Sequence, residues 1–124
     1  MTIMEAISRI DDIKPNAYTH GDKVAWLSAI DGIIKREIID THEGGESIEY
    51  NGYDEDTSDL TELIVPAPYD LIYIRWLEAQ IDYAMGEYER YSNSTMAYND
   101  ILESFGKYYN RTHKPKHNGK RFIF

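Results

Sequence analysis

The sequence predicts an all-α fold: a small four-helix bundle-like domain with a long loop over 43–67 and a flexible C-terminal arm. Three observations predict it. Apolar residues recur at steps of three and four in four separate stretches, the spacing of one helical face. Capping and helix-breaking residues punctuate those stretches. Residues of β type gather in one short piece only, "ELIVP". A chain of 124 residues is one domain with a modest core, because one core serves roughly 100–200 residues. Helices are expected over about 3–14, 20–42, 68–91 and 93–110, within a helical domain of 1–112 followed by a basic arm of 113–124.

The first helix is carried by "TIMEAISRIDDIK", with Ile3, Ile7 and Ile10 on one face. Thr2 and Glu5 have the spacing of a capping box, and Pro15 stops the run. "NAYTHG" is a turn, and Thr19 with Asp22 caps the second helix. There Val24, Leu27, Ile30, Ile34 and Ile38 form a stripe that Trp26, Ile33 and Ile39 broaden, while Asp31, Lys35, Arg36 and Asp40 are assigned to the opposite side. Residues 43–67 follow as a long excursion, of the kind that is often functional or ordered by a partner. It contains a tight-turn signal at Asn51-Gly52, a short strand end at Glu49-Tyr50, and an extended "ELIVP".

Pro68 is placed to open the third helix. That run carries Leu71, Ile74, Leu77, Ile81, Met85 and Tyr88 on one face, with Ile72, Trp76 and Tyr83 on a second. A helix apolar on two sides belongs in the middle of a bundle or at a subunit contact. Ser92-Asn93-Ser94 is expected to break it and cap a fourth helix, whose face is Met96, Ile101, Leu102, Phe105, Tyr108 and Tyr109. The closing "RTHKPKHNGKRFIF" has too little apolar content to pack alone and ends in an apolar hook.

Net charge is −9, yet residues 104–124 hold six basic side chains and no Asp or Glu. An acidic body argues against wrapping nucleic acid, whose binding gains from neutralised phosphates. The basic tail reads either as a docking arm or as a solvated terminus. The chain has no Cys, which excludes disulfides and thiolate chemistry. Its N-terminus lacks the pattern of a signal peptide, and no run approaches the roughly 18 apolar residues of a membrane span.

Chemical motifs are weak. "DEDTSD" suggests a calcium loop, but counting from Asp54 puts Asp59 where an EF-hand needs Gly and Val65 where it needs Glu. His113 and His117 flank Pro115 and two lysines, a poor setting for a cation. Gly44-Gly45 leads to Glu46, without the lysine of a phosphate loop, and HExxH and GxSxG are absent. No catalytic residue, metal ligand or cofactor is assigned, and an enzyme is disfavoured. Eleven Tyr, most of them in the C-terminal half, suit protein interfaces, since Tyr buries area while keeping a polar end.

From "GYDEDTSDLTELIVPAPYDLIYIRWLEAQIDYAMGEYERYSNSTMAYN", together with "ISRIDDIKPNAYT", "KVAWLSAIDGIIKREIIDTHEG" and "YYNRTHKP", the sequence resembles the small head-tail connector (adaptor, or head-completion) proteins of tailed bacteriophages. The resemblance implies a structural virion protein, with α-helical subunits in a homo-oligomeric ring of about twelve copies with heterologous contacts. The ring would sit beneath the portal protein, extend the DNA channel and receive the next connector (stopper) or tail component. Double-stranded DNA would pass through without sequence-specific binding. The location implied is the virion neck, and the host cytoplasm during assembly. Ring contacts are then expected at Tyr53, Asp54, Asp56, Leu63, Val65, Tyr73, Trp76, Tyr83 and Tyr88. The portal-docking arm is expected to use Arg111, Lys114, Lys116, Lys120, Arg121, Phe122, Ile123 and Phe124. The competing reading is a small acidic phage-encoded regulatory or anti-host binding protein.

Overall fold

A computed structural model of the chain describes residues 1–116. Among them are four α-helices and no strand: α1 (Ile3–Ile13), α2 (His20–Ile34), α3 (Leu71–Ala84) and α4 (Tyr88–Thr112). Two isolated antiparallel bridges, Thr2 with Glu62 and His42 with Pro115, are the only strand-like pairings described. The fold is all-α, as the periodicity predicts.

Both expected N-caps form. Thr2 Oγ1 accepts the Glu5 amide at 3.1 Å while Glu5 accepts the Thr2 amide at 2.8 Å. Thr19 and Asp22 repeat the arrangement at the start of α2. Each box satisfies amides that a helix start leaves without partners. α1 buries Ile3, Ala6, Ile7 and Ile10.

α2 departs from its expected course at its end. It does not run to 42 as an α-helix but passes into a π-helical turn, Lys35–Ile39, closed by the Asp40 amide on Lys35 O at 2.8 Å. A π-turn inserts one residue into the helical register. Ile39 therefore takes the core position that the α spacing assigns to Ile38, which is only half-buried. The chain then folds back tightly, and a Cβ on Gly45 would lie 2.4 Å from Ile39 O.

α3 is central, packed against α1, α2 and α4. It buries Ile72, Ile74, Leu77 and Ile81, whereas Leu71 and Trp76 are half-buried, Tyr83 is exposed, and Met85 and Tyr88 lie exposed beyond its end. It opens at Leu71, three residues after the Pro68 start that the sequence suggests. The expected break at Ser92-Asn93-Ser94 does not occur. The turn falls earlier, at Gly86 with φ +75°, a left-handed conformation that glycine adopts without steric cost. α4 then runs uninterrupted through Ser92–Ser94, where Ser94 Oγ donates to Asp82 at 3.2 Å across the hairpin. Of its 25 residues α4 buries only Tyr98, Phe105 and Tyr109, because α3 is its main neighbour.

Candidate functional site

The loop over 43–67 does not project from the bundle. It is strapped along α1 and α2, and its central fastening is Asp31. This carboxylate is fully buried, which corrects its assignment to the solvent side of α2. Asp31 shares the inward row with Leu27 and Ile34, at steps of four and three, so its burial follows from the helical register. Oδ1 accepts the Tyr73 hydroxyl at 2.6 Å, and Oδ2 accepts the Tyr53 hydroxyl at 2.5 Å and the Ile64 amide at 3.1 Å. The Tyr73 hydroxyl in turn accepts the Val65 amide at 2.7 Å. Desolvation pushes the Asp31 carboxyl above the usual carboxylate range, against the pull of those three donors. Burial and the adjoining carboxylate drive the Tyr53 and Tyr73 hydroxyls strongly upward, so both remain proton donors.

A second fastening lies one turn earlier on α2. Ser28 Oγ accepts the Tyr53 amide at 3.0 Å and bonds the Tyr50 hydroxyl at 3.0 Å. The rings of Tyr50 and Tyr53 meet edge to face at 5.1 Å. The far end of the loop runs against the start of α1, where Thr61 O and Asp59 O accept the free Ile3 and Met4 amides at 3.0 Å each. The "ELIVP" piece is not extended throughout: Glu62 bridges Thr2 of the N-terminal residues, and the backbone then bends at Ile64 and Val65. No strand end forms at Glu49-Tyr50 and no hydrogen-bonded turn closes at Asn51-Gly52, although Gly52 takes a left-handed φ of +88°.

These contacts sort the predicted ring residues. Leu63, Val65 and Tyr73 are core residues, and their burial leaves them no surface to offer a neighbour. The cause is Asp31, which pulls this part of the loop inward. Tyr53 is half-buried with its hydroxyl committed to Asp31, and Trp76 is half-buried with its indole N–H on Trp26 O at 2.8 Å. Asp54 and Asp56 are exposed, and Asp54 Oδ1 accepts the Asp56 amide at 2.9 Å, closing a local turn. Tyr83 and Tyr88 are the open aromatic members, 59% and 63% exposed. Their rings meet at 5.8 Å, and Tyr91 joins Tyr83 at 5.1 Å, forming an aromatic corner around the α3–α4 turn.

The arm begins at the opposite end of α4, about 36 Å away at 1.5 Å per residue. Arg111 lies exposed on the last turn of α4. The His113 ring stacks on Tyr109 at 3.8 Å, and the backbone then turns back. Lys114 O accepts the Glu43 amide at 2.8 Å and the Lys116 amide donates to Thr41 O at 2.9 Å, leaving both lysine side chains exposed. Lys120, Arg121, Phe122, Ile123 and Phe124 lie outside the described residues. Beneath this pairing the buried His42 ring contacts Ile38 O at 2.6 Å and Asn110 Oδ1 at 2.7 Å, joining the π-turn to α4.

Sequence reasoning did not find the clasp of Ser28, Asp31 and the Tyr hydroxyls. Its one available signal was an acidic residue on an apolar row. Among the described residues no group of three or more His, Asp or Glu side chains is placed to hold a metal ion, and no helix is long and apolar enough to cross a membrane. No protein-family model, curated protein or solved structure matches the chain.

Proposed function

We propose that this chain is a structural connector subunit of a tailed bacteriophage, assembling as a ring beneath the portal and extending the DNA channel towards the tail. The observation that carries the reading is the two-ended exposure of α4. A 25-residue helix that buries only three residues in its own subunit has most of its length available to neighbours. A ring needs two different faces meeting around the cycle. The aromatic corner at Tyr83, Tyr88 and Tyr91 and the open side of α4 supply chemically distinct faces, with Tyr enriched as in protein contacts.

The remaining features fit the same role. The basic arm follows the far end of α4, where Arg111, Lys114, Lys116 and the residues beyond would engage the portal. The exposed Asp54, Glu55, Asp56 and Glu62 give the strapped loop an acidic rim. Negative charge facing a channel lets duplex DNA pass, whereas positive charge would retain its phosphates. In this reading the clasp at Asp31 serves to hold that rim in place.

The acidic rim also favours a second reading, a small phage-encoded protein that engages a basic host partner or mimics DNA. Sedimentation of the purified chain with portal-bearing heads separates the two. The connector reading predicts saturable co-sedimentation that is lost when residues 111–124 are removed. Absence of binding to such heads, with tight binding to a basic host protein, supports the second reading instead.

A further inference from the structure

Between the start of α3 and the second half of α4 lies a groove of about 260 Å³, lined by Pro68, Tyr69, Leu71, Asp100, Ile101 and Ser104. Small-molecule sites run to roughly 300–1,000 Å³, so this groove suits one or two apolar side chains better than a cofactor. Tyr69, Leu71 and Ile101 are half-buried in its floor, while Asp100 and Ser104 are exposed at its rim. The Tyr69 ring also lies 5.2 Å from Tyr108. The apolar surface therefore continues one turn along α4 towards Thr112, where the helix ends.

The chain carries a matching occupant. Its backbone folds back after Thr112 and reaches Lys116 beside Thr41, whose neighbour His42 is bonded to Asn110. Ser104 precedes Asn110 by six residues, about 9 Å along the helix. From Lys116, a chain ending at Phe122 to Phe124 could reach at most about 20–28 Å, more than that offset along the helix. The segment reads Lys120-Arg121-Phe122-Ile123-Phe124, two cations beside three large apolar side chains. That composition complements an apolar floor with a carboxylate at its edge.

The geometry points to this groove as the docking site of the chain's own residues 120–124 in the free subunit. In this docking an aromatic side chain of the segment would pack on Leu71 and Ile101, and a cation beside it would face Asp100. Docking withdraws apolar surface from water and offsets the entropy of ordering a short tail. This inference concerns the unassembled chain and does not depend on the connector reading.

The test places photoreactive benzoylphenylalanine at position 122 of the full chain and irradiates it in dilute solution. The expected result is cross-linked product of monomer size, mapped to peptides carrying Leu71 or Ile101. Ser104→Trp fills the groove at an exposed position, so the fold is kept, and it should reduce the yield at least fivefold. Asp100→Lys should also reduce it. Cross-links in a dimer band, cross-links mapped elsewhere, no cross-links, or a yield unchanged by Ser104→Trp would overturn the inference. Failure of the chain to bind portal-bearing heads would leave the expected cross-links in place, so the two claims fail separately.

Discussion

The Tyr73 hydroxyl donates to Asp31 Oδ1 at 2.6 Å and accepts the Val65 amide at 2.7 Å, so one side chain of α3 ties the middle of α2 to the end of the long loop. Tyr73→Phe strands a buried amide and removes one of three donors from a buried carboxylate. It should cost about 2–3 kcal/mol of stability. Tyr53→Phe removes a donor only, at a half-exposed site, and should cost about 1 kcal/mol. Urea denaturation of both variants checks the order, and equal costs would contradict the clasp.

The same carboxylate sets a pH dependence. Burial raises the Asp31 carboxyl above the ordinary carboxylate range. Between the ordinary value and the raised one, the folded chain keeps a proton that the unfolded chain has released. The stability due to this group is therefore full at lower pH and falls as pH rises through the raised value. Asp31→Asn abolishes that dependence. It also turns an amide N–H₂ towards a donor, costing about 1–3 kcal/mol. Paired denaturation at stepped pH should show the advantage of the natural chain over Asp31→Asn shrinking as pH rises across this window and then levelling. An advantage that grows with pH would contradict the assignment.

The α3–α4 turn makes a third prediction. Gly86 takes φ +75°, so Gly86→Ala should cost about 1–2 kcal/mol. Ser92→Ala and Asn93→Ala lie inside α4 and should stay within about 0.5 kcal/mol with unchanged helicity. Gly45→Ala meets Ile39 O and should cost about 1–3 kcal/mol. Thermal melts followed by circular dichroism read all four.

Surface and core roles separate at the aromatic corner. Tyr83 and Tyr88 are largely exposed, so the double change Tyr83→Ser with Tyr88→Ser should alter stability by less than about 1 kcal/mol. Under the connector proposal it should weaken assembly on portal-bearing heads about tenfold, equivalent to about 1.4 kcal/mol. A variant that assembles normally would remove the corner from the ring contact.

Much of the fold was legible because its signals are local. The Thr2–Glu5 and Thr19–Asp22 boxes, the apolar stripe of α1 and the buried Ile74, Leu77 and Ile81 of α3 all depend on residues a turn apart. The helix breaks were less legible. Ser92-Asn93-Ser94 looks like a cap in isolation, yet the left-handed turn at Gly86 and the Ser94–Asp82 bond across the hairpin decide otherwise. The π-turn at Lys35–Ile39 was hidden because helical spacing accepts either Ile38 or Ile39. The loop was misread for a physical reason as well. Its acidic, turn-rich composition suggests projection, whereas long-range bonds to Ser28 and Asp31, 22 to 33 residues away, fold it inward. Of the interface residues the sequence suggested, Tyr83, Tyr88, Asp54 and Asp56 are exposed, and Leu63, Val65 and Tyr73 belong to the core.

The connector proposal, under which a tailed bacteriophage encodes this chain, is tested most directly by deleting the coding sequence from that phage and imaging the products of infection. The account predicts DNA-filled heads and separate tails that do not join, with joining restored by adding the purified chain, which then appears as a ring beneath the portal. Infectious particles with normal necks formed without the chain would contradict it.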